Sequence, residues 1–173
     1  MITAVGIKRL LYADITEVKT HLTGTALKAI IAKAKPIKNV HQDTWSVEES
    51  EASTTSYKNQ ISGGTYRMEK DMGDVAMTFT IGQYDYPTKA ELLGGTATAT
   101  SWSRPRGVVD IYKCLIAQTK DDQWVVFPKA QVMARESNTD KAIGLAVKGV
   151  ALEPDNIEVM PEYWFDDSEV KAE

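Results

Sequence analysis

The clearest pattern in the chain lies in residues 74–95. Val75, Met77, Phe79 and Ile81 alternate with Ala76, Thr78, Thr80 and Gly82, so one side of this stretch is apolar and the other small or polar. A period of two predicts a strand with one face against a core. The period then changes. Asp85 is placed to cap a helix, Pro87 falls in its first turn, where a missing N–H costs nothing, and Ala90, Leu92 and Leu93 form a short apolar stripe. Gly94 and Gly95 end that helix in the left-handed conformation that glycine tolerates.

Upstream, residues 7–12 form a short apolar run interrupted by Lys8 and Arg9, which predicts a first strand, and residues 14–25 are polar and turn-like. Leu27, Ile30, Ile31 and Ala34 recur at helical spacing until Pro36 stops the pattern. Residues 40–50 alternate again, with His41, Asp43, Trp45, Val47 and Glu49 on one face, and predict a strand. Residues 51–64 are rich in Ser, Thr, Asn and Gly and have almost no apolar anchor. A structureless loop of that length is uncommon inside a compact domain and is usually functional or disordered. It is read as a long hairpin arm or lid that gains order on docking. Residues 65–70 return as a strand, with Tyr66 and Met68 opposite Arg67 and Glu69, and 71–73 form a turn.

Downstream, residues 96–100 alternate threonine with alanine, as in an edge strand or loop, and Pro105 and Gly107 break 101–107 into a turn. Residues 108–118 are the most apolar strand and are expected at the centre of the sheet. A turn at 119–123 leads into a strand at 124–127, whose end is set by Pro128. Ala130, Val132 and Ala134 then alternate with Gln131, Met133 and Arg135, residues 137–140 are a turn cluster, and 142–152 form a long strand with Ile143, Leu145, Val147 and Ala151 on one side. Residues 153–173 read as an acidic tail with Lys171 its only base, and Tyr163, Trp164 and Phe165 stand alone within it. Such a triplet docks on its own domain or on a neighbour. The sum is a mainly β chain: an antiparallel sandwich or barrel with a short flanking helix, forming a single domain over residues 1–173.

Composition narrows the function classes. The chain of 173 residues carries 20 basic and 24 acidic side chains, a net charge of −4. A protein that grips nucleic acid by neutralising phosphates is normally basic, so tight binding is not expected, although DNA passing nearby is compatible. Cys114, the one cysteine, lies in an apolar run and is read as a small buried hydrophobe. The N-terminal residues lack the apolar core of a signal peptide, and no stretch approaches the roughly 20 apolar residues of a membrane helix. Synthesis in a cytoplasm, without export and without a membrane partner, is the expectation.

No catalytic pattern accompanies the strands. His21 and His41 have no acidic partner at a diagnostic spacing, and nucleophile-elbow, phosphate-loop, zinc-protease and dinucleotide fingerprints are all missing from the sequence. The pairs Asp121-Asp122 and Asp166-Asp167 have the chemistry to attract a cation, but in a turn and a tail they read as solvated. The expectation is a non-enzyme with no cofactor and no metal.

The order of pieces resembles the tail tube (major tail) proteins of long-tailed bacteriophages, particularly the non-contractile kind. The residues that carry the resemblance are 38–49, Lys-Asn-Val-His-Gln-Asp-Thr-Trp-Ser-Val-Glu-Glu, then the long arm, then 64–68, Gly-Thr-Tyr-Arg-Met, the strand to Gly82, and 90–95, Ala-Glu-Leu-Leu-Gly-Gly. It covers about residues 12–154. The resemblance implies a virion protein with a β-sandwich flanked by a helix, whose hexameric rings stack into a tube through which DNA passes during genome ejection. The implied partners are further copies of itself and the tape-measure, tail-terminator and tail-tip proteins. The arm residues Glu51, Thr55, Tyr57, Lys58, Asn59, Ile61, Gly63 and Gly64 are the candidates for ring stacking, and Tyr163, Trp164 and Phe165 for a contact between subunits. Lys28, Lys33, Lys35 and Lys38 and the acidic segment 153–173 are candidate complementary surfaces. Two alternatives stay open: the tube of a contractile or type VI secretion-like machine, and a monomeric ligand-binding β-barrel.

Overall fold

Residues 3–171 are described by the structure, a computed structural model. The first strand, β1 (Arg9–Ala13), leads through a 3-10 turn (Ile15–Glu17) to helix α1 (Gly24–Lys33), and the chain returns beside β1 as β2 (Lys35–Ile37). Short strands β3 (Asn39–Val40) and β4 (Ser46–Glu49) precede a separate pair, β5 (Ser53–Lys58) and β6 (Thr65–Asp71). Strand β7 (Val75–Gln83) and helix α2 (Tyr86–Leu93) follow, then β8 (Thr96–Ala97) and β9 (Trp102–Ser103). The last third is β10 (Ile111–Gln118), β11 (Gln123–Thr139), β12 (Ala142–Ala151), β13 (Tyr163–Asp166) and α3 (Asp167–Lys171). The main sheet is antiparallel in the order β2-β1-β10-β11-β12-β7-β3, with β4 added to β7 and β13 to β11. The expected fold class, mainly β with an antiparallel sheet and few helices, is the one that forms.

Strand β11 is the axis of this arrangement. Leu115 pairs with Phe127 but Lys113 pairs with Ala130, so Pro128 and Lys129 together face one residue of β10. This is a β-bulge, and it shifts the phase of alternation by one residue. Val125 and Phe127 face the larger core before the bulge, and Ala130 and Val132 face it afterwards. The free edge of β11 also changes partner there, from β13 at Gln123–Val126 to β12 at Ala130–Thr139. Pro128, expected to end the strand, sits instead inside the bulge, where the missing N–H breaks no ladder bond.

Two cores follow from that geometry. The larger collects Leu10 and Tyr12 from β1, Leu115 from β10, Leu145 and Val147 from β12, Phe79 and Ile81 from β7, and Leu92 from α2. Strands near both ends of the sheet order contribute to it, so the sheet curls around it. The smaller core uses the opposite faces of the same first strands, with Leu11, Cys114, Ile116, Trp124 and Val126 packed under Leu27 and Ile30 of α1, Tyr163 of β13 and Val170 of α3. The second half of β10, from Cys114 to Ala117, therefore reads as an unbroken apolar run because both of its faces are buried. Burial pushes the Cys114 thiol up to about 12, so it is a packing residue with no thiolate chemistry at neutral pH.

Local signals placed both longer helices. The Thr23 hydroxyl accepts from the Ala26 N–H at 3.3 Å, and the Asp85 carboxylate accepts from the Thr88 N–H at 2.8 Å. Gly94, at φ 87°, closes α2 where an L side chain would be strained. Against α2 lies the β8–β9 flap, held by Lys89. This lysine is 8% exposed, its Nζ lies 4.0 Å from the centroid of the Trp102 ring, and it pairs with Glu136 of β11, which Arg104 also reaches. The hydrogen bond from Lys89 holds the Glu136 carboxyl below the usual range.

Several boundaries differ from expectation. Residues 40–50 are not one strand: Asp43 at φ 58° turns the chain between β3 and β4. The cluster at 137–140 is mostly strand, because Asp140 and Lys141, both at positive φ, make a two-residue hairpin turn between β11 and β12. Val108 is 99% exposed and lies outside β10. Phe79, fully buried in the larger core, gives the direct check on the packing. Phe79→Ala is expected to destabilise the protein by about 3–5 kcal/mol in chemical denaturation.

Candidate functional site

The arm is a continuation of the sheet. Glu49 pairs with Val75 at the end of the β4–β7 ladder, and the pairing resumes beyond a break as Ser53 with Asp71. At the break, the Asp74 N–H donates to Ser50 Oγ at 2.8 Å, and the Ser50 N–H donates to the Asp74 carbonyl at 2.9 Å. Gly73 makes this crossing possible, since a Cβ there would sit 1.7 Å from the Ser50 carbonyl oxygen. Beyond the hinge, β5 and β6 pair only with each other.

Residues 51–64, read as a long hairpin arm or lid, supply the first strand and the tight turn of a two-stranded hairpin, β5–β6, whose second strand is Thr65–Asp71. At its tip the Asn59 carboxamide accepts from the Ile61 N–H, and the Asn59 and Gly64 backbones close the turn. The structure brings Thr55, Tyr57, Lys58, Asn59, Ile61, Gly63 and Gly64 onto this one hairpin, while Glu51 stays in the segment between the hinge and β5. The Arg67 guanidinium lies 5.7 Å from the Tyr57 ring, and the Tyr57 hydroxyl donates to Glu69 at 3.0 Å, a polar cluster along one face. Every residue of β5 and β6 except Glu69 is exposed. That exposure includes Tyr66 at 70%, Met68 at 63% and, at the tip, Ile61 at 97%. Tyr66 and Met68 were missing from the expected site, although their alternation with Arg67 and Glu69 gave the signal.

Residues 153–173, read as an acidic tail, end within the described residues in a strand and a helix packed on the domain, so Tyr163 and Phe165 take the first of the two docking places expected for the triplet. Tyr163 is buried, its hydroxyl accepts from the Met160 N–H at 2.9 Å, and Phe165 stacks against it. Trp164 alone of the triplet faces outward, 41% exposed. Asp167 is buried at the start of α3 and accepts from the Trp124 indole at 2.9 Å and from Gln118, while pairing with Lys171. Burial by itself would raise its pKa, but the bonds from Lys171 and Trp124 outweigh that and leave it below the usual range. Asp166 is held at about 2 by hydrogen bonds from Ser168. Asp121 accepts from the Val5 N–H and Asp122 pairs with Lys8, so both acid pairs are engaged in structural bonds.

A second surface is the outer face of β7, β11 and β12. Thr78, Thr80, Ala146, Met133, Arg135 and Lys148 border a shallow hollow of about 410 Å³ there. Its charged residues are cations, so the negative net charge of the chain lies elsewhere. Among the basic residues expected to face a neighbour, Lys33 is already paired with Glu17 and Lys35 with Glu91. Among the described residues, His, Cys, Asp and Glu form no group able to hold a metal ion, and no helix is long and apolar enough to cross a membrane. No family model matches the chain, and no curated protein matches it.

Three outcomes are expected. Gly73→Ala uncouples the arm at its hinge, so hydrogen exchange accelerates in β5 and β6 while β10–β12 amides keep their protection. The stability contributed by Asp166 and Asp167 is complete above the ordinary aspartate value of 3.8 and is lost as pH falls through the depressed folded values, about 2 for Asp166. Acid titration followed by Trp124 fluorescence is expected to show β13 and α3 loosening in that window. Asp167→Ala, which strands the indole N–H, is expected to cost about 1–3 kcal/mol at neutral pH.

Proposed function

We propose that the chain is a structural subunit that assembles with further copies of itself into stacked rings, the tail tube of a long-tailed bacteriophage. The observation that carries this reading is the β5–β6 hairpin. A two-stranded hairpin is marginal in water by itself, and this one extends from the sheet with Ile61, Tyr66 and Met68 uncovered. Such a segment gains its stability from a surface outside its own domain. The open sheet supports the same reading. Its outermost strands, β2 at one end and β3 with β4 at the other, are short. A neighbouring copy that pairs with them removes exposed edges. Head-to-tail contacts of this kind close into rings, and a second contact stacks the rings.

In this reading the arm makes the contact from ring to ring, and DNA crosses the bore without specific binding. The tape-measure, tail-terminator and tail-tip proteins are then the partners that start and end the tube. The resemblance in residues 38–49, 64–68 and 90–95 supports this identity. The protein acts in the virion through its surfaces and carries out no reaction.

Negative-stain electron microscopy across a concentration series tests the proposal. Rings that stack into hollow tubes as concentration rises are expected. Replacing residues 53–71 by a short Gly-Ser turn is expected to abolish stacking while leaving the circular dichroism of the domain β-rich. A chain that stays monomeric at every concentration overturns the reading.

A further inference from the structure

A groove lies where the start of β1, α1, the start of β11 and α3 meet, with a volume of about 350 Å³. Its base is apolar: Trp124 and Val170 are buried and Ile31 is half-buried. Its rim carries Lys8, Arg9, Lys28 and Lys171. Asp122 compensates Lys8 and Asp167 compensates Lys171. Arg9 lies with its guanidinium 5.5 Å from the Trp124 ring centroid. Among the described residues neither Arg9 nor Lys28 has a carboxylate partner, so the groove keeps uncompensated positive charge above an apolar base.

Elsewhere on the same domain the segment between β12 and β13 has the opposite character. Glu153, Asp155, Glu158 and Glu162 occupy it with no base among them. It is pinned to the domain, because Asn156 donates to the Lys19 carbonyl at 2.8 Å and Val159 is buried in the smaller core. Between those anchors Ile157 is 91% exposed. Asp155 is engaged by Lys129, yet its side chain stays 88% exposed. The segment is thus a fixed aliphatic knob flanked by carboxylates, and Ile157 does not line the groove of its own chain.

We propose that the groove of one copy receives the Ile157 knob of a second copy, a contact that rests on the self-assembly reading above and names one of its interfaces. Ile157 enters over Ile31 and Val170, and the carboxylates of Glu153 and Glu158, which Lys129 leaves free by pairing with Asp155, meet Arg9 and Lys28. Apolar burial supplies the affinity, and the charges set partner and orientation. Groove and knob are different patches, so the contact is head-to-tail and propagates from copy to copy.

Charge exchange tests it by sedimentation velocity on the full chain. Arg9→Glu with Lys28→Glu, and separately Glu153→Lys with Glu158→Lys, are each expected to weaken self-association by about tenfold or more. An equimolar mixture of the two, in which every groove can find a knob of opposite sign, is expected to recover it, as is the chain carrying all four changes. Circular dichroism checks folding, and Arg9→Gln with Lys28→Gln serves if the reversed groove misfolds. Reversed variants that associate as the unaltered chain does overturn the groove contact while leaving self-assembly standing. Loss without recovery in the mixture also overturns it. An unaltered chain that never associates overturns both.

Discussion

The extra residue in β11 at Pro128–Lys129 is the constraint on which the rest of the fold depends. A regular strand with Phe127 facing the larger core would turn Ala130 and Val132 away from it. The bulge resets the phase, so one strand serves the larger core along most of its length while its outer edge passes from β13 to β12. The smaller core exists because Trp124 and Val126, before the bulge, alternate with Val125 and Phe127. The helices α1 and α3 then have a second apolar surface to cover, and the segment after β12 is drawn back over it.

Charged groups secure the peripheral pieces of this frame. Lys89 is buried against Trp102 and bonded to Glu136, which fastens the β8–β9 flap across α2 to β11. Asp167 plays the matching part at the other core, where its carboxylate receives an indole N–H, an amide and an ammonium group. Both sites combine burial with full pairing, the condition under which a buried charge holds a position instead of weakening it. The exposed ion pairs of Lys33 in α1 with Glu17 and of Lys35 in β2 with Glu91 in α2 add little stability but remove those lysines from the pool available to a neighbour.

Much of this architecture was legible in the sequence. The alternation of β7, the cap at Asp85 and the glycine end of α2 act over a few residues, and short-range patterns report such features faithfully; the cap at Thr23 went unread in a segment that looked turn-like. The bulge was not read: apolar residues at 125 and 127 resume at 130 and 132, a change of phase, but Pro128 was expected to end the strand there. The fate of Tyr163 and Phe165 depends on which strand edge is vacant, a property of the assembled sheet that no local pattern records. The arm was recognisable as a segment without anchors, but its extent was not: residues 65–71 alternate like an ordinary strand, and only the assembled sheet leaves both of their faces uncovered. Tyr66 and Met68 were read only as one face of a strand, because alternation gives the face of a side chain and says nothing of what lies opposite.

The hinge at Ser50 and Gly73 separates two kinds of selection. None of the residues beyond it belongs to either core, so changes along β5 and β6 leave the folding of the domain untouched. The sheet can be held nearly constant over evolutionary time while the hairpin drifts, lengthens or is exchanged for another. In a lineage of such proteins, divergence is expected to concentrate in the arm, and grafting it from one member to another would transfer recognition without redesigning the scaffold.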